Sequence, residues 1–263
     1  MQKAIEIESR GLTLRGMLHI PGDANGKLPI VCIYHGFTGN KMEPHFIFVK
    51  LSRLLEKKGI ASVRFDFGGS GESGGDFFDM TISKELEEAR AILNYTKALD
   101  FVATDRIGIV GLSLGGAVSG MLAGDCRDDI KALCLWAPGG NINMILEAIT
   151  DDKMQKLRKM GFIDVGELIP GWGGLAIGIG FIEELFKLDV YKKAALYNKE
   201  VLLIHGDKDE VVPLSFSEKY LKIYGKNGRL HVIQEADHTF NKLEWEKEVL
   251  NHTVEFLENE LKK

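Results

Sequence analysis

Apolar and polar residues alternate from Ile5 to Glu8 and again from Leu12 to Ile20, with Arg10-Gly11 between them. A period of two turns one side of each segment toward a core, and the short polar break predicts an antiparallel hairpin. The pattern then changes. Pro29 to Tyr34 reads PIVCIY, a continuous apolar run that suits a strand covered on both faces. Glu43 to Lys58 has helical spacing through Phe46, Val49, Leu51, Leu54 and Leu55, with Gly59 placed to cap it. Ile60 to Phe65 predicts a strand, and Thr81 to Leu99 an amphipathic helix with an acidic first turn that suits the helix dipole. Arg106 to Val110 is a strand that runs into a small-residue helix over Gly115 to Gly124, and Ile130 to Trp136 is the next strand.

The alternation then stops. Residues 139–197 contain no strand of the same quality, only the polar helical stretch TDDKMQKLRKM and the Gly-rich apolar segment IPGWGGLAIGIGFIEELF. It resumes with a strand over Val201 to His205, a helix over Leu214 to Tyr224, a strand over Leu230 to Ile233 and a final helix over Leu243 to Leu261. Strands alternating with helices predict an α/β fold: a mostly parallel twisted sheet, antiparallel at its N-terminal hairpin, with helices on both faces. Residues 1–138 and 198–263 form the expected core. Residues 139–197 are too long for an ordinary connection and are expected to be an inserted cap or lid.

Composition narrows the function more than the fold. The chain has 263 residues, 45% hydrophobic and 27% charged, as a globular protein with a sizeable core requires. A net charge of -5 argues against a nucleic-acid partner, which would want a basic face. No uninterrupted apolar run reaches the roughly 18 residues of a membrane span, so none is expected. The N-terminus MQKAIEIESRG lacks the continuous apolar stretch of a signal peptide, so a cytoplasmic location is expected. Cys32, Cys126 and Cys134 show no C-x-x-C spacing, so a zinc site is not expected, and cysteine in a strand-like run is usually a small core hydrophobe. No metal or organic cofactor is implied.

The chemistry starts with serine. G-x-S-x-G, the pattern of a nucleophile elbow, occurs twice, at Gly111 to Gly115 and at Gly71 to Gly75. Ser113 follows an apolar strand and opens a helix, whereas Ser73 lies in a loop of Gly, Ser and acidic residues with no strand before it. Strand-turn-helix context favours Ser113; the alternative is a helix N-cap serine. A serine hydroxyl needs a base to take its proton. Of seven histidines, His238 lies in EADHTF, just after the last strand, at the carboxyl edge of the sheet where open α/β folds keep their chemistry. His231, inside the strand LHVI, reads as structural, His252 as part of a solvated helix face, and His19 and His45 have no evident partner. The orienting acid should follow the preceding strand, where HGDKDEVVP offers Asp207 and Asp209. Asp209 is favoured, because the loop must carry its carboxylate outward before returning near Pro213. Asp207 suits a turn residue bonding its own backbone, and Glu210 ranks third. Ser, then Asp, then His is the chain order of α/β-hydrolase triads. Oxyanion donors are expected from the backbone N–H of Leu114 and, in the loop HGFTGN, of Phe37.

HGFTGNK, RFDFGGSGESGG, GLSLGG, HGDKDEVVP and ADHTF, in that order, resemble the α/β-hydrolase superfamily across residues 1–138 and 198–263. More narrowly, the chain resembles small bacterial esterases that include cinnamoyl and feruloyl esterases, with a compact cap at the same place and a similar RFDFxGxGxS loop. That resemblance implies Asp209 as the catalytic acid and Phe37 as an oxyanion donor. One departure is Leu112 and Leu114, where those esterases often carry GHSQGG. The expected function is hydrolysis of a small carboxylic ester through an acyl-enzyme. The apolar segment Ile169 to Phe186, with Trp172 and Phe181, either covers an apolar or aromatic acyl group or packs the cap onto the core. Rival readings are a serine peptidase or aminopeptidase, which would need an acidic site for the substrate amine, a thioesterase, and a non-catalytic binding protein. Dehalogenases and epoxide hydrolases use an acid where this chain has Ser113. The sequence leaves the oligomeric state open, a homodimer included.

Overall fold

The N-terminal alternation folds as the predicted hairpin, β1 (Gln2–Ser9) and β2 (Leu12–His19), paired antiparallel from Gln2–His19 to Ser9–Leu12. This computed structural model describes residues 1–22, 26–141, 149–169 and 173–263. The continuous apolar runs become β3 (Leu28–Tyr34), β4 (Ala61–Phe65), β5 (Val102–Leu112), β6 (Ala132–Trp136) and β9 (Val201–Gly206), and β10 (Gly228–Ile233) follows. Between β6 and β9 lie β7 (Phe162–Asp164) and β8 (Ala176–Gly178). The eight-stranded sheet has the order β1-β2-β4-β3-β5-β6-β9-β10. β2 pairs antiparallel with β4, and every pairing from β4 to β10 is parallel.

Helices cover both faces. α1 (Ile47–Lys57) and α8 (Leu243–Leu261) pack Phe48, Leu51, Val249 and Leu257 against one face. α2 (Ile82–Lys97) and α3 (Leu114–Asp125) pack Leu86, Ile92, Val118 and Leu122 against the other. β3, β5 and β6 are buried along nearly their whole length, which explains why they read as unbroken apolar runs rather than alternations. Cys32 and Cys134 are buried free thiols in β3 and β6.

The chain between β6 and β9 also carries α4 (Asp151–Met160), α5 (Ile179–Leu185) and α6 (Val190–Ala194). β7 and β8 form a separate antiparallel pair. Leu157, Ile163, Ile177 and Phe181 from this stretch are buried in the same apolar cluster as α2 and α3. After it, α7 (Leu214–Tyr224) returns to the sheet. The helix predicted from Glu43 starts later, at Ile47, because Glu43, His45 and Phe46 all adopt positive φ. Gly59, at φ 70°, ends that helix as expected. Among the described residues no helix is long and apolar enough to cross a membrane.

Candidate active site

β3, β5, β9 and β10 all point their carboxyl ends at one edge of the sheet, so the loops that leave them meet there. β5 delivers Ser113. Its backbone sits at φ 56°, ψ -120°, a conformation costly for any side-chain-bearing residue. Surrounding bonds hold it there: the Ser113 N–H donates to the Trp136 carbonyl at 2.9 Å, and the Ser113 carbonyl accepts from Gly139 N–H at 2.8 Å and Gly116 N–H at 3.0 Å. The flanking glycines are sterically required. A Cβ on Gly111 would lie 2.3 Å from the Gly115 carbonyl oxygen, and one on Gly115 would lie 2.3 Å from the His35 carbonyl oxygen. The spacing G-x-S-x-G therefore lets α3 start directly against β5 and β3.

The loops after β9 and β10 bring Asp209 and His238 to this serine. His238 Nδ1 lies 2.7 Å from Asp209 Oδ2, and His238 Nε2 lies 2.9 Å from Ser113 Oγ. A carboxylate only accepts, so Nδ1–H donates to Asp209 and Nε2 is left to accept from the serine hydroxyl. Ser113 and His238 are buried, and the Asp209 side chain is 0% exposed. Burial by itself would raise the Asp209 carboxyl. Hydrogen bonds from His205 and His238, the charge of His238 and the Val212 N–H outweigh it and hold the group well below the usual carboxylate range. Asp209 Oδ1 accepts from the N–H groups of Val211 and Val212, each at 2.8 Å, which fixes the loop. Asp207 turns away, accepting from Glu235 N–H, and Ser73 staples its own loop by donating to the Asp66 carbonyl at 2.6 Å.

Three neighbours were not legible as site residues. His205, the last residue but one of β9, places Nε2 2.9 Å from the Val212 carbonyl and 3.1 Å from Asp209 Oδ2, while Nδ1 lies 2.7 Å from Ser217 Oγ. Two acceptors at Nε2 assign its proton there, so His205 braces Asp209 from behind. His45, which had no evident partner in the sequence, bonds Glu246 and the Thr239 carbonyl beside His238. Glu43 accepts the Gly36 N–H on Oε1 at 2.7 Å, and burial pushes its carboxyl up to about 7. The general signal for Glu43 was a charged residue at what read as an amphipathic helix start, which gives no hint of burial.

Phe37 follows Gly36 in this loop. His35 holds the loop from below: its Nε2 accepts from Phe67 N–H at 2.9 Å, which leaves Nδ1–H to donate to the Gly36 carbonyl. Leu114 is the first residue of α3, and first-turn N–H groups have no partner within their helix. The Phe37 ring stacks on Phe181 at 5.4 Å between centroids and meets Phe77 at 5.4 Å. Phe181, 1% exposed, thus packs rather than facing open space, while Trp172 lies outside the described residues. A cavity of about 690 Å³ opens at Ser113 and His238, walled by Phe37, Met42, Glu43 and, from the chain between β6 and β9, Leu175.

The sequence profile of the prolyl oligopeptidase family matches residues 47–263. Est1E from Butyrivibrio proteoclasticus, in a structure with ferulic acid bound, superposes with a TM-score of 0.85 at 29% identity, covering 99% of this chain and 100% of that one. YitV of Bacillus subtilis, a provisionally named esterase, is 26% identical over 82% of this chain and 83% of its own length. An uncharacterised Escherichia coli protein from the traX–finO intergenic region is 30% identical over 36% of this chain, and the match spans only 32% of that relative.

Proposed function

The chain belongs to the prolyl oligopeptidase family, and within it we propose that this member is a carboxylic-ester hydrolase that works through an acyl-enzyme on Ser113. The observation that carries this reading is the hydrogen-bonded row Ser113–His238–Asp209 at the sheet edge. Ser113 Oγ gives its proton to His238 Nε2 as it attacks the ester carbonyl. The oxyanion that forms accepts from the N–H groups of Phe37 and Leu114. Asp209 keeps the imidazole in the right tautomer and stabilises the imidazolium. His238 then protonates the departing alcohol. Water then loses a proton to the same nitrogen as it attacks the acyl carbon, the acyl–Oγ bond breaks, and His238 returns that proton to Ser113 Oγ as the acid leaves.

The family name raises the peptidase alternative. An aminopeptidase needs a carboxylate free to pair with the substrate ammonium. Among the described residues that line the cavity, Glu43 is the acidic one, and it is already engaged with Gly36 N–H and pushed up to about 7. That favours the ester. The likeness to Est1E with ferulic acid bound, and the apolar walls Phe37, Met42 and Leu175, support an aromatic hydroxycinnamoyl acyl group. In this reading residues 139–197 act as the cap over that group.

The test is a panel of p-nitrophenyl esters, methyl ferulate, thioesters and aminoacyl amides, run on wild type and Ser113→Ala. We expect the esters to be turned over, methyl ferulate among them, and Ser113→Ala to lose about three orders of magnitude or more in kcat. Near-wild-type turnover by a folded Ser113→Ala, or failure of a fluorophosphonate to label Ser113, ends the acyl-enzyme reading. Faster cleavage of aminoacyl amides than of any ester would move the protein to the peptidases.

A further inference from the structure

Two histidines that the sequence placed apart, one in a strand and one on a solvated helix face, meet in the structure. The rings of His231 and His252 lie with centroids 3.8 Å apart and planes tilted by 36°. Glu248 joins them, its Oε1 lying 2.7 Å from His231 Nε2. Glu248 and His252 are four residues apart on α8, so both face the same way, toward His231 on β10. One ligand atom from each residue lies within 4.8 Å of the other two.

We propose that His231, Glu248 and His252 bind a divalent transition cation of the zinc type. Two imidazole nitrogens and one carboxylate oxygen suit zinc, nickel, cobalt or copper, and suit magnesium or calcium poorly. Around a tetrahedral ion with bonds of about 2.0–2.1 Å the donor atoms sit roughly 3.4 Å apart. The three donor atoms already lie within 4.8 Å of one another, and Glu248 and His252 hang from one helix, so the distance left to close is short. The proton that His231 Nε2 shares with Glu248 leaves for Nδ1 through solvent, and Nε2 becomes a donor to the ion. Next to the cluster an open depression of about 600 Å³, lined by Leu243, Glu244, Lys247 and Asn251, leaves the fourth position to water.

The ion would staple β10, the last strand of the sheet, to the terminal helix. β10 ends at Ile233, just before the loop that carries His238. An ion that binds only the folded chain raises its stability by mass action. The site lies outside the cavity at Ser113, so this inference stands or falls separately from the esterase reading.

The experiment uses the full chain without a histidine tag. Zinc chloride is titrated by calorimetry, cobalt binding is followed by visible absorption, and thermal unfolding is recorded with zinc or magnesium. Wild type is expected to take up one zinc per chain, to show the d–d bands of cobalt with nitrogen ligands and to unfold at higher temperature with zinc but not with magnesium. His231→Ala/His252→Ala is expected to lose affinity by more than about tenfold and to lose the zinc-dependent shift. Its turnover without metal should match that of wild type. If that double variant does not fold, His252→Gln, a single change at a half-buried position of α8, makes the same comparison. No uptake by wild type, unchanged uptake by the variants, or an equal shift with magnesium overturns the proposal.

Discussion

Glu43 carries a carboxyl where the fold gives it little water. It lies at φ 57°, is 9% exposed, and has one oxygen on the Gly36 N–H. Burial, only partly offset by that N–H, raises its pKa from 4.5 to about 7. The folded state therefore holds a proton that the unfolded state has already released between these values. Stability is full below about pH 4.5 and declines as pH rises toward 7, by on the order of 3 kcal/mol. Glu43→Gln keeps an oxygen for Gly36 and cannot ionise. Its melting temperature relative to wild type should climb from pH 5 to pH 8, and a flat difference across that range would show that Glu43 does not titrate there. Asp209 is the opposite case. Its carboxyl is held well below the usual range, so it stays ionised to support His238 throughout the same interval. Asp209 was readable because its loop had to project; Glu43 was not, because nothing in MEPHF announces that a loop will fold its acid inward.

At the scale of elements, the junction of β5, α3 and β3 sets where the Ser113 hydroxyl and the first turn of α3 lie. Gly115 brings the first turn of α3 against the end of β3, with its missing Cβ 2.3 Å from the His35 carbonyl oxygen and 2.4 Å from that of Tyr34. Gly115→Ala must push the two backbones apart. The cost is about 3 kcal/mol, and the N–H groups of Leu114 and Phe37 move away from each other. Turnover of a p-nitrophenyl ester should drop roughly a hundredfold, mostly in kcat. A variant that lost stability but kept kcat would show that these two N–H groups need not be held at this spacing. The strands and helices themselves were legible: α7 and α8 run over the predicted residues, and the helix after Thr81 is capped by the Thr81 hydroxyl. Their hydrophobic periods survive in any context. The short pair β7–β8 was not legible, since three-residue strands carry too few positions to establish a period.

For the molecule as a whole, chain order exposed the candidate serine, acid and histidine, because each sits one or a few residues past a recognisable strand. The braces behind them stayed hidden. His205 finds Ser217 on α7 and His45 finds Glu246 on α8, and away from the site His231 finds His252, all contacts that close only when distant segments pack. Phe181 belongs to the same class. Either role could be assigned from sequence, and packing places it against Phe37. Phe181→Ala should cost about 3–5 kcal/mol as a core truncation and lower kcat as well as raise KM. A change in KM alone would mean that the ring serves only to bind. Phe37 thus has its backbone in the loop after β3 and its ring between Phe77, which precedes α2, and Phe181 of the stretch between β6 and β9. The stretch between β6 and β9 is for that reason no interchangeable module. A chimera that imports this stretch from a relative must import a matching aromatic partner for position 37, or it will exchange selectivity at the expense of speed.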